Sequence, residues 1–592
     1  MKSPIVLLIS LIDDIRRLMP DVEGLDRDII TIENRVEHEG ISFLTVTLPA
    51  LCKDLESGLS SCKFTCPRGF GKVRGGAIPK LFSGMLCKVF DSLTGELIGD
   101  GRPDIVRCLR EVLLLNKKLS LGSDRDSKLD RVAKEKFYSC EDAIIDLERV
   151  NEKHLFTIDR VCRYILPNLD TFEREDLCLK HGPGAVAEMH SVNQKWEALL
   201  FCQEELEEFG YDAFFYASYR YARSAQSNRA SSNIARLVTV LKDSSSRRTI
   251  TVEPVVNMFR QQGYNTYLRD SILKCNILSQ CLQLSDQSIN QKMALEGSIT
   301  GEWSTLDLSS ASDLLSLQLV ERVFMHRPRF LSGILECRTP QIMRNNVPYT
   351  LKKFAGMGNA TTFPVQSVVF AVLAIAAGLD GLRPSYRNVM RVARNVRVYG
   401  DDIIVRSDVY RQVVSLIEEV GLKVNLKKSF STGNFRESCG LDAYHGVEVT
   451  PLYVRHCISE ISVRNASIYA HFVSLCNHAW MRGLYNLSET IRQELERERK
   501  LPLVSSDSPL LGLHTRQNVQ EYHRWCSSTH RFLTKGLVQR TLRKKDPLDG
   551  YAALLKFFHL RGETQYPPEG GYGLQYVDAR YKTSISQRWV AP

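Results

Sequence analysis

Two consecutive aspartates, Asp401 and Asp402, stand in the middle of Val396-Arg-Val-Tyr-Gly-Asp-Asp-Ile-Ile-Val405. β-Branched runs on both sides of a Gly-Asp pair are the pattern of a hairpin with its turn at Gly400-Asp401, which lifts both carboxylates to the tip. Adjacent carboxylates repel, and these two neither cap a helix nor pair with a neighbouring Lys; a divalent cation resting on them would account for the arrangement. An ordinary polar turn would satisfy the same segment, so a second element has to decide. Upstream, Trp303-Ser-Thr-Leu-Asp307-Leu alternates like a strand, and Ser309-Ser-Ala-Ser-Asp313 reads as a Ser-rich helix start running into Leu314–Phe324. Asp307 then ends a strand, where it can meet the tip of a neighbouring hairpin. Three carboxylates on two strand ends would suit two divalent ions about 4 Å apart, which activate a nucleophile and stabilise the leaving group of an in-line phosphoryl displacement.

Between these elements, Phe354-Ala-Gly-Met-Gly-Asn-Ala-Thr-Thr-Phe-Pro364 leads into the apolar stretch Phe363–Leu379. A Gly-rich loop at that place can bring backbone close to a nucleotide, or simply join a strand to a core helix. The apolar stretch is shorter than the ~20 residues a bilayer requires and contains Pro364, Gln366 and Ser367, which predicts a buried helix with no membrane role. Residues 213–250 carry seven Arg/Lys, among them Lys242, Arg247 and Arg248, against the single acid Asp243. Phe214, Phe215, Tyr216, Tyr219 and Tyr221 crowd the upstream end, an interleaving that suits a nucleotide or nucleic-acid channel.

The order Asp307/Asp313, Gly358–Thr362, Tyr399-Gly-Asp-Asp402, Gly421–Phe430 resembles motifs A to D of viral RNA-dependent RNA polymerases. Phe435-Arg-Glu-Ser-Cys-Gly440, continued by His445-Gly-Val-Glu-Val-Thr-Pro451, resembles more narrowly the replicase β subunits of the small positive-strand RNA bacteriophages, the Q-beta-like leviviruses. Lys242–Ile250, Glu253-Pro with Asn257, and His181-Gly-Pro-Gly184 are similar to that family too; the resemblance is strong over about 180–455 and weak at both ends.

The resemblance implies a fold and a set of roles. The fold is α+β, a right-hand polymerase with an antiparallel palm sheet: residues 1–290 mainly fingers with N-terminal elements, 291–455 palm with motifs A to E and a fingers insertion at about 325–355, and 456–592 a largely helical thumb and tail. Asp307, Asp401 and Asp402 would hold two Mg²⁺ ions, with Mn²⁺ as a substitute, Asp307 and Asp402 doing most of the bridging. Asp313 would meet the ribose 2′-hydroxyl, and no bulky aromatic from Leu308 to Asp313 closes off that space. Gly358 and Thr362 fit motif B, but its last position is Gln366 with Asn359 lying earlier, so either amide could assist Asp313. Arg247 and Arg248 would meet the triphosphate, and one of Lys427 and Lys428 would protonate the departing pyrophosphate. The implied activity is RNA-directed, primer-independent copying of single-stranded phage RNA from NTPs in the cytoplasm of an infected bacterium. Implied partners are the host elongation factors Tu and Ts and an OB-fold ribosomal protein of the small subunit. A replicase of the related narnavirus or mitovirus lineage is the alternative within the class. A non-catalytic RNA-binding relative is the alternative outside it, disfavoured because such a module has no use for three carboxylates that repel RNA.

The remaining sequence fits this frame. The chain of 592 residues is 43% hydrophobic and 25% charged with a formal net charge of +10, which describes a folded, multi-lobed protein and excludes wholesale disorder. Pro67-Arg-Gly-Phe-Gly-Lys-Val-Arg-Gly-Gly76 lacks the ending of a P-loop. Cys62-x3-Cys66 has no second pair to complete a zinc site, so the sixteen cysteines read as reduced thiols. Met1–Ile12 reads as a buried amphipathic start, and helices are predicted over Ser139–Tyr164, Ser459–Leu487 and Thr490–Lys500. Arg540-Thr-Leu-Arg-Lys-Lys545 reads as an exposed helix face or an RNA contact.

Overall fold

Helix α1 (Ile5–Leu18) places Leu7, Leu8, Leu11, Ile12 and Ile15 on one buried side, the amphipathic start expected from the sequence. The computed structural model describes residues 4–120, 126–173, 177–182, 184–188, 195, 233–517, 523–543, 550, 552–554, 556–557 and 581–591. The aromatic cluster at 214–221, Arg220, Arg223, Arg229 and the tail around Tyr566–Tyr572 lie outside the described residues.

After α1 come α2 (Leu25–Glu39), α3 (Leu48–Ser61), α4 (Ser83–Leu86), α5 (Pro103–Leu114), α6 (Asp126–Ala143) and α7 (Glu152–Ile165). The hairpin β1 (Ile234–Asp243)–β2 (Ser246–Val252) leads to α8 (Val255–Lys274), α9 (Leu278–Cys281) and α10 (Ser288–Thr300). Next are β3 (Trp303–Leu306), α11 (Ala311–Leu314), α12 (Leu317–Phe324), α13 (Pro328–Glu336), β4 (Gln341–Arg344) and β5 (Val347–Thr350). The central part ends with α14 (Thr362–Ala377), α15 (Tyr386–Ala393), β6 (Val396–Tyr399), β7 (Asp402–Arg406), α16 (Tyr410–Glu419), β8 (Phe435–Ser438), β9 (Leu441–Tyr444) and β10 (Val447–Glu448). Helices α17 (Ala466–Met481) and α18 (Tyr485–Glu498) are followed by β11 (Leu503–Val504), β12 (Leu513–His514), β13 (His523–Cys526), β14 (Arg531–Arg543) and β15 (Tyr581–Val590).

Helix α14 is buried on every side, and its Val, Ala, Leu and Phe side chains stand at the middle of a core drawn from residues 140–424. No described helix is long and apolar enough to cross a membrane. A second core joins residues 7–119 to residues 430–513. The first hundred or so residues therefore pack with the segment after residue 430. Asp14 shows the joint clearly, since its fully buried carboxylate accepts the N–H groups of Asn486 and Leu487 at 2.9 Å and so caps the N-terminus of α18.

Five expectations about secondary structure are corrected. The helix expected over Leu314–Phe324 is two, because Leu315 is extended and Ser316 caps α12. The break has a long-range cause: Leu317 N–H donates to Lys352 O at 2.9 Å and Phe354 N–H to Leu315 O at 2.8 Å. Residues between α6 and α7 interrupt the Ser139–Tyr164 helix, and Gly483, at φ +78, separates α17 from α18. Beyond Glu498 the described residues are largely sheet, with β13-β14-β15 antiparallel, where mainly helix is expected. Arg540 accordingly lies on β14, not on a helix.

The loop before α14 is pinned to β2. Thr251 N–H donates to Met357 O at 2.7 Å, and Gly358 has φ +123, with an added Cβ falling 2.0 Å from the Thr251 carbonyl oxygen. Gly358→Ala is therefore expected to cost about 2 kcal/mol or more of stability. A thermal-melting midpoint equal to that of the parent chain would show that this contact is dispensable.

Candidate active site

The sheet β3-β7-β6 positions the aspartates. In its antiparallel ladders Leu306 pairs with Ile403 and Tyr399 with Asp402, so the next step beyond Leu306 sets Asp307 opposite Asp402. Gly400 and Asp401 are the two turn residues, as the sequence predicts. Gly400 takes φ +64, where an added Cβ would meet the Phe363 ring at 2.7 Å, and its N–H donates to Ser367 Oγ of α14 at 3.1 Å. The tip is thus fixed from below by the buried helix. On the other edge of β3, residues 423–430 run antiparallel to it: Phe430 N–H donates to Thr305 O at 2.8 Å and Asn425 N–H to Asp307 O at 2.9 Å.

Burial pushes the Asp402 carboxyl up to about 7, and the charges of Asp401 and Asp307 add to the rise. Asp307 is raised as well, first by burial and then by Asp401, against the opposing pull of Lys428 and the hydrogen bond donated by Asn425 Nδ2 to its Oδ2 at 2.7 Å. The three carboxylates hence feel one another through a poorly hydrated space. Among the described residues no group of three or more His, Cys, Asp or Glu side chains is gathered tightly enough to hold a metal ion. The donor set still fits a hard divalent cation, since all three groups are carboxylates and their mutual repulsion is what such a cation removes.

The two lysines separate cleanly. Lys427 is exposed, and its charge is felt by Asp54 of α3. Lys428 turns inward and donates to Glu437 Oε1 at 2.9 Å. Burial alone would lower its ammonium, but Glu437 and Asp307 outweigh that and hold it above the ordinary lysine value. Lys242, at the β1–β2 turn, also lies within reach of the Asp307 charge; burial lowers its ammonium, as do Arg248 and Lys428.

The expected substrate-binding residues are placed less uniformly. Arg248 is exposed on β2, and Arg247 Nε lies 3.6 Å from Asp130 of α6. Asn359 Oδ1 is committed to its own turn, accepting Thr361 N–H at 2.9 Å and Thr361 Oγ1–H at 2.7 Å. Thr362 Oγ1 donates to Gly356 O at 2.9 Å. Gln366 is buried beneath the Gly400 turn, and its Oε1 has no hydrogen-bond partner among the described residues. Neither amide reaches Asp313, whose Oδ1 instead accepts from Lys353 Nζ at 3.0 Å. Glu253 and Asn257 are core residues, both bonded to Thr339 Oγ1, and stand apart from the aspartates.

Sequence reasoning assigned no role to Asn425, Glu437 or Lys353, whereas Lys242 was already marked as part of the basic run at 213–250. Glu437 lies inside Phe435-Arg-Glu-Ser-Cys-Gly440, where it was visible as part of a motif without a role. The β8–β9 hairpin gives that motif one: Arg436, fully buried, donates to Trp303 O at 2.6 Å and so locks β8 to β3, while Glu437 faces Lys428. Cys439 lies against Asp402 at the hairpin turn.

Comparison with known proteins agrees with these motifs. The sequence profile of the family described as RNA replicase, beta-chain, matches residues 211–546. The RNA-directed RNA polymerase subunit beta of Qbeta virus (strain MX1) is 40% identical over 225 residues, 38% of this chain and 36% of that protein. The RNA-directed RNA polymerase beta chain of Escherichia phage MS2 is 34% identical over 223 residues, 38% of each chain. The matched region thus spans little more than a third of these relatives. Among solved structures, the RNA-dependent RNA polymerase of a human picobirnavirus has a TM-score of 0.32 at 12% identity, covering 45% of this chain and 55% of its own. An RdRp complex has a TM-score of 0.44 at 11% identity, covering 78% of this chain and 46% of its own. With the profile matched over more than half its length, this chain belongs to the RNA replicase beta-chain family.

Proposed function

We propose that the chain is an RNA-directed RNA polymerase that copies a single-stranded phage RNA from ribonucleoside triphosphates, without a primer, in the cytoplasm of the infected bacterium. The observation that carries this reading is the register that sets Asp307 opposite Asp402 beside the turn aspartate Asp401, with Lys428 turned toward them. Family membership and the phage relatives support the same activity. In this reading β3-β7-β6 belongs to the palm. The shared sheet β2-β1-β4-β5 supports grouping the 325–355 insertion with the fingers. The relatives are beta subunits, and we take this chain to work with host subunits also, elongation factors Tu and Ts and an OB-fold ribosomal protein among them.

Two Mg²⁺ ions, or Mn²⁺, held by Asp307, Asp401 and Asp402 would supply Lewis-acid activation of the 3′-hydroxyl and neutralisation of the triphosphate. The chain's own groups do the rest. Lys428 keeps its proton in a half-buried site and can donate it to the leaving pyrophosphate oxygen. Arg248 and Lys242, on the β1–β2 hairpin, bring positive charge to the triphosphate side. Asp313 accepts from the ribose 2′-hydroxyl.

Asp402→Asn should lower RNA-templated nucleotide incorporation by roughly 10³-fold. Its effect on stability has the opposite sign. The Asp402 carboxyl is raised in the folded chain, so its ionisation opposes folding, fully so above about pH 7 and less as the pH falls toward 3.8. In metal-free buffer at pH 8 the variant should be more stable by about 1–2 kcal/mol, a gain that shrinks toward pH 4. Mg²⁺ should raise the melting midpoint of the parent and leave that of Asp402→Asn unmoved; an equal rise in both would remove Asp402 from the metal site.

The lysines offer a separate check. Lys428→Gln should reduce the single-turnover rate by about 10²-fold, while Lys427→Gln changes it less than about twofold. Equal losses in the two variants would contradict the inward assignment of Lys428.

A further inference from the structure

Asp313 is held by a buried lysine, and neither Asn359 nor Gln366 takes part. Lys353 Nζ donates to Asp313 Oδ1 at 3.0 Å and lies 3.3 Å from Glu141 Oε1 and 3.4 Å from the centroid of the Phe137 ring. Lys353 and Glu141 are both at 0% exposure. Burying an ammonium between two carboxylates is seldom the most stable filling for such a space, since an apolar side chain of similar volume usually does as well or better. What the ion group offers is placement. Asp313 Oδ1 is fixed, whereas its Oδ2 accepts no hydrogen bond among the described residues, and the side chain stays 11% exposed.

The surroundings are built to keep Lys353 still. Its backbone pairs with Ser316, just past the helix that carries Asp313, and the neighbouring Lys352 N–H donates to Glu141 Oε2 at 2.6 Å. Glu141 stands near the C-terminal end of α6. Near the other end of the same helix, Asp130 accepts Thr239 Oγ1–H at 2.5 Å and lies 3.6 Å from Arg247 Nε. One helix therefore braces both the β1–β2 hairpin and the Lys353–Asp313 pair.

We propose that Lys353, backed by Glu141, is the positioning residue for sugar selection. It orients the Asp313 carboxylate so that one oxygen faces the 2′-hydroxyl of the incoming ribonucleotide, and itself touches neither substrate nor reacting atoms. The proposal rests on the polymerase reading and on Asp313 meeting the 2′-hydroxyl.

The test compares kcat and KM for single incorporation of ATP and dATP by the full chain on an RNA template. The variants are Asp313→Asn, Glu141→Gln and the double variant Lys353→Met/Glu141→Gln, which leaves no unpaired partner carboxylate on α6. The double variant should raise KM for ATP about tenfold and leave dATP incorporation unchanged, so that the ribose preference falls about tenfold. Parallel losses with ATP and dATP would mean a merely structural lysine and overturn the proposal. If the double variant does not fold, Glu141→Gln alone decides, with a two- to threefold fall in preference supporting the proposal and an unchanged preference overturning it. Asp313→Asn separates the two levels. Preference lost there but kept in the double variant refutes only the role of Lys353, whereas preference kept in Asp313→Asn refutes the sugar reading beneath it.

Discussion

Three like charges confined in a poorly hydrated space dictate how the strands and helices around them must be held. Asp307, Asp401 and Asp402 are brought within one another's field by strand register, and burial raises Asp402 to about 7. Such a site cannot be left to loosely held loops, because repulsion would open it. Each of its walls is accordingly fixed by something buried. Ser367 and Phe363 of α14 hold the hairpin turn, the 423–430 segment is zipped to β3, and Arg436 ties β8 to the start of β3 through the Trp303 carbonyl. The apolar helix that resembles a membrane segment in composition is the stiff floor that this repulsion requires.

Positive charge is metered in the same way. Lys428 lies between Asp307 and Glu437, and Glu437 in turn feels Arg110, which is fully buried and bonded to Glu56 and Asp442. Alternating signs thus run from the aspartates through β8 and β9 into α3 and α5. Lys428 and Arg110 each lie between two carboxylates, the condition under which a buried cation avoids being left uncompensated. The N-terminal helices are therefore electrically continuous with the candidate site, which matches their sharing a core with residues 430–513.

What could be read from the sequence was what local chemistry determines. The Gly400-Asp401 turn, the strand ending at Asp307 and the buried character of α14 follow from period-2 alternation, turn residues and run length, and all three stand. What could not be read was set by pairing across long separations. The inward turn of Lys428 depends on the phase of a segment hydrogen-bonded to β3 more than a hundred residues away, and adjacent lysines give no local sign of it. The break at Leu315 exists because residues 352–354 pair there. Arg540-Thr-Leu-Arg543 reads from the sequence as part of an exposed helix face or an RNA contact, yet it continues Phe532-Leu-Thr-Lys-Gly-Leu-Val-Gln539, whose alternation and cross-strand partners on β15 determine the outcome.

The same contrast bears on how a motif should be weighed. Asn359 and Gln366 were the natural candidates to assist Asp313 because they lie in the loop and helix that the family motif marks. The structure assigns them elsewhere: Asn359 closes its own turn through hydrogen bonds, and Gln366 packs under Gly400. Lys353 does the holding from just before the glycines, 40 residues after Asp313, and Glu141 does so from a helix far upstream of any motif. A carboxylate that must present one oxygen needs its other oxygen pinned by a group that cannot rotate away. A buried lysine with two anionic partners meets that requirement better than a neutral amide with local alternatives. The residue types at the site were therefore legible in the sequence, while the means of keeping them still was written in the packing.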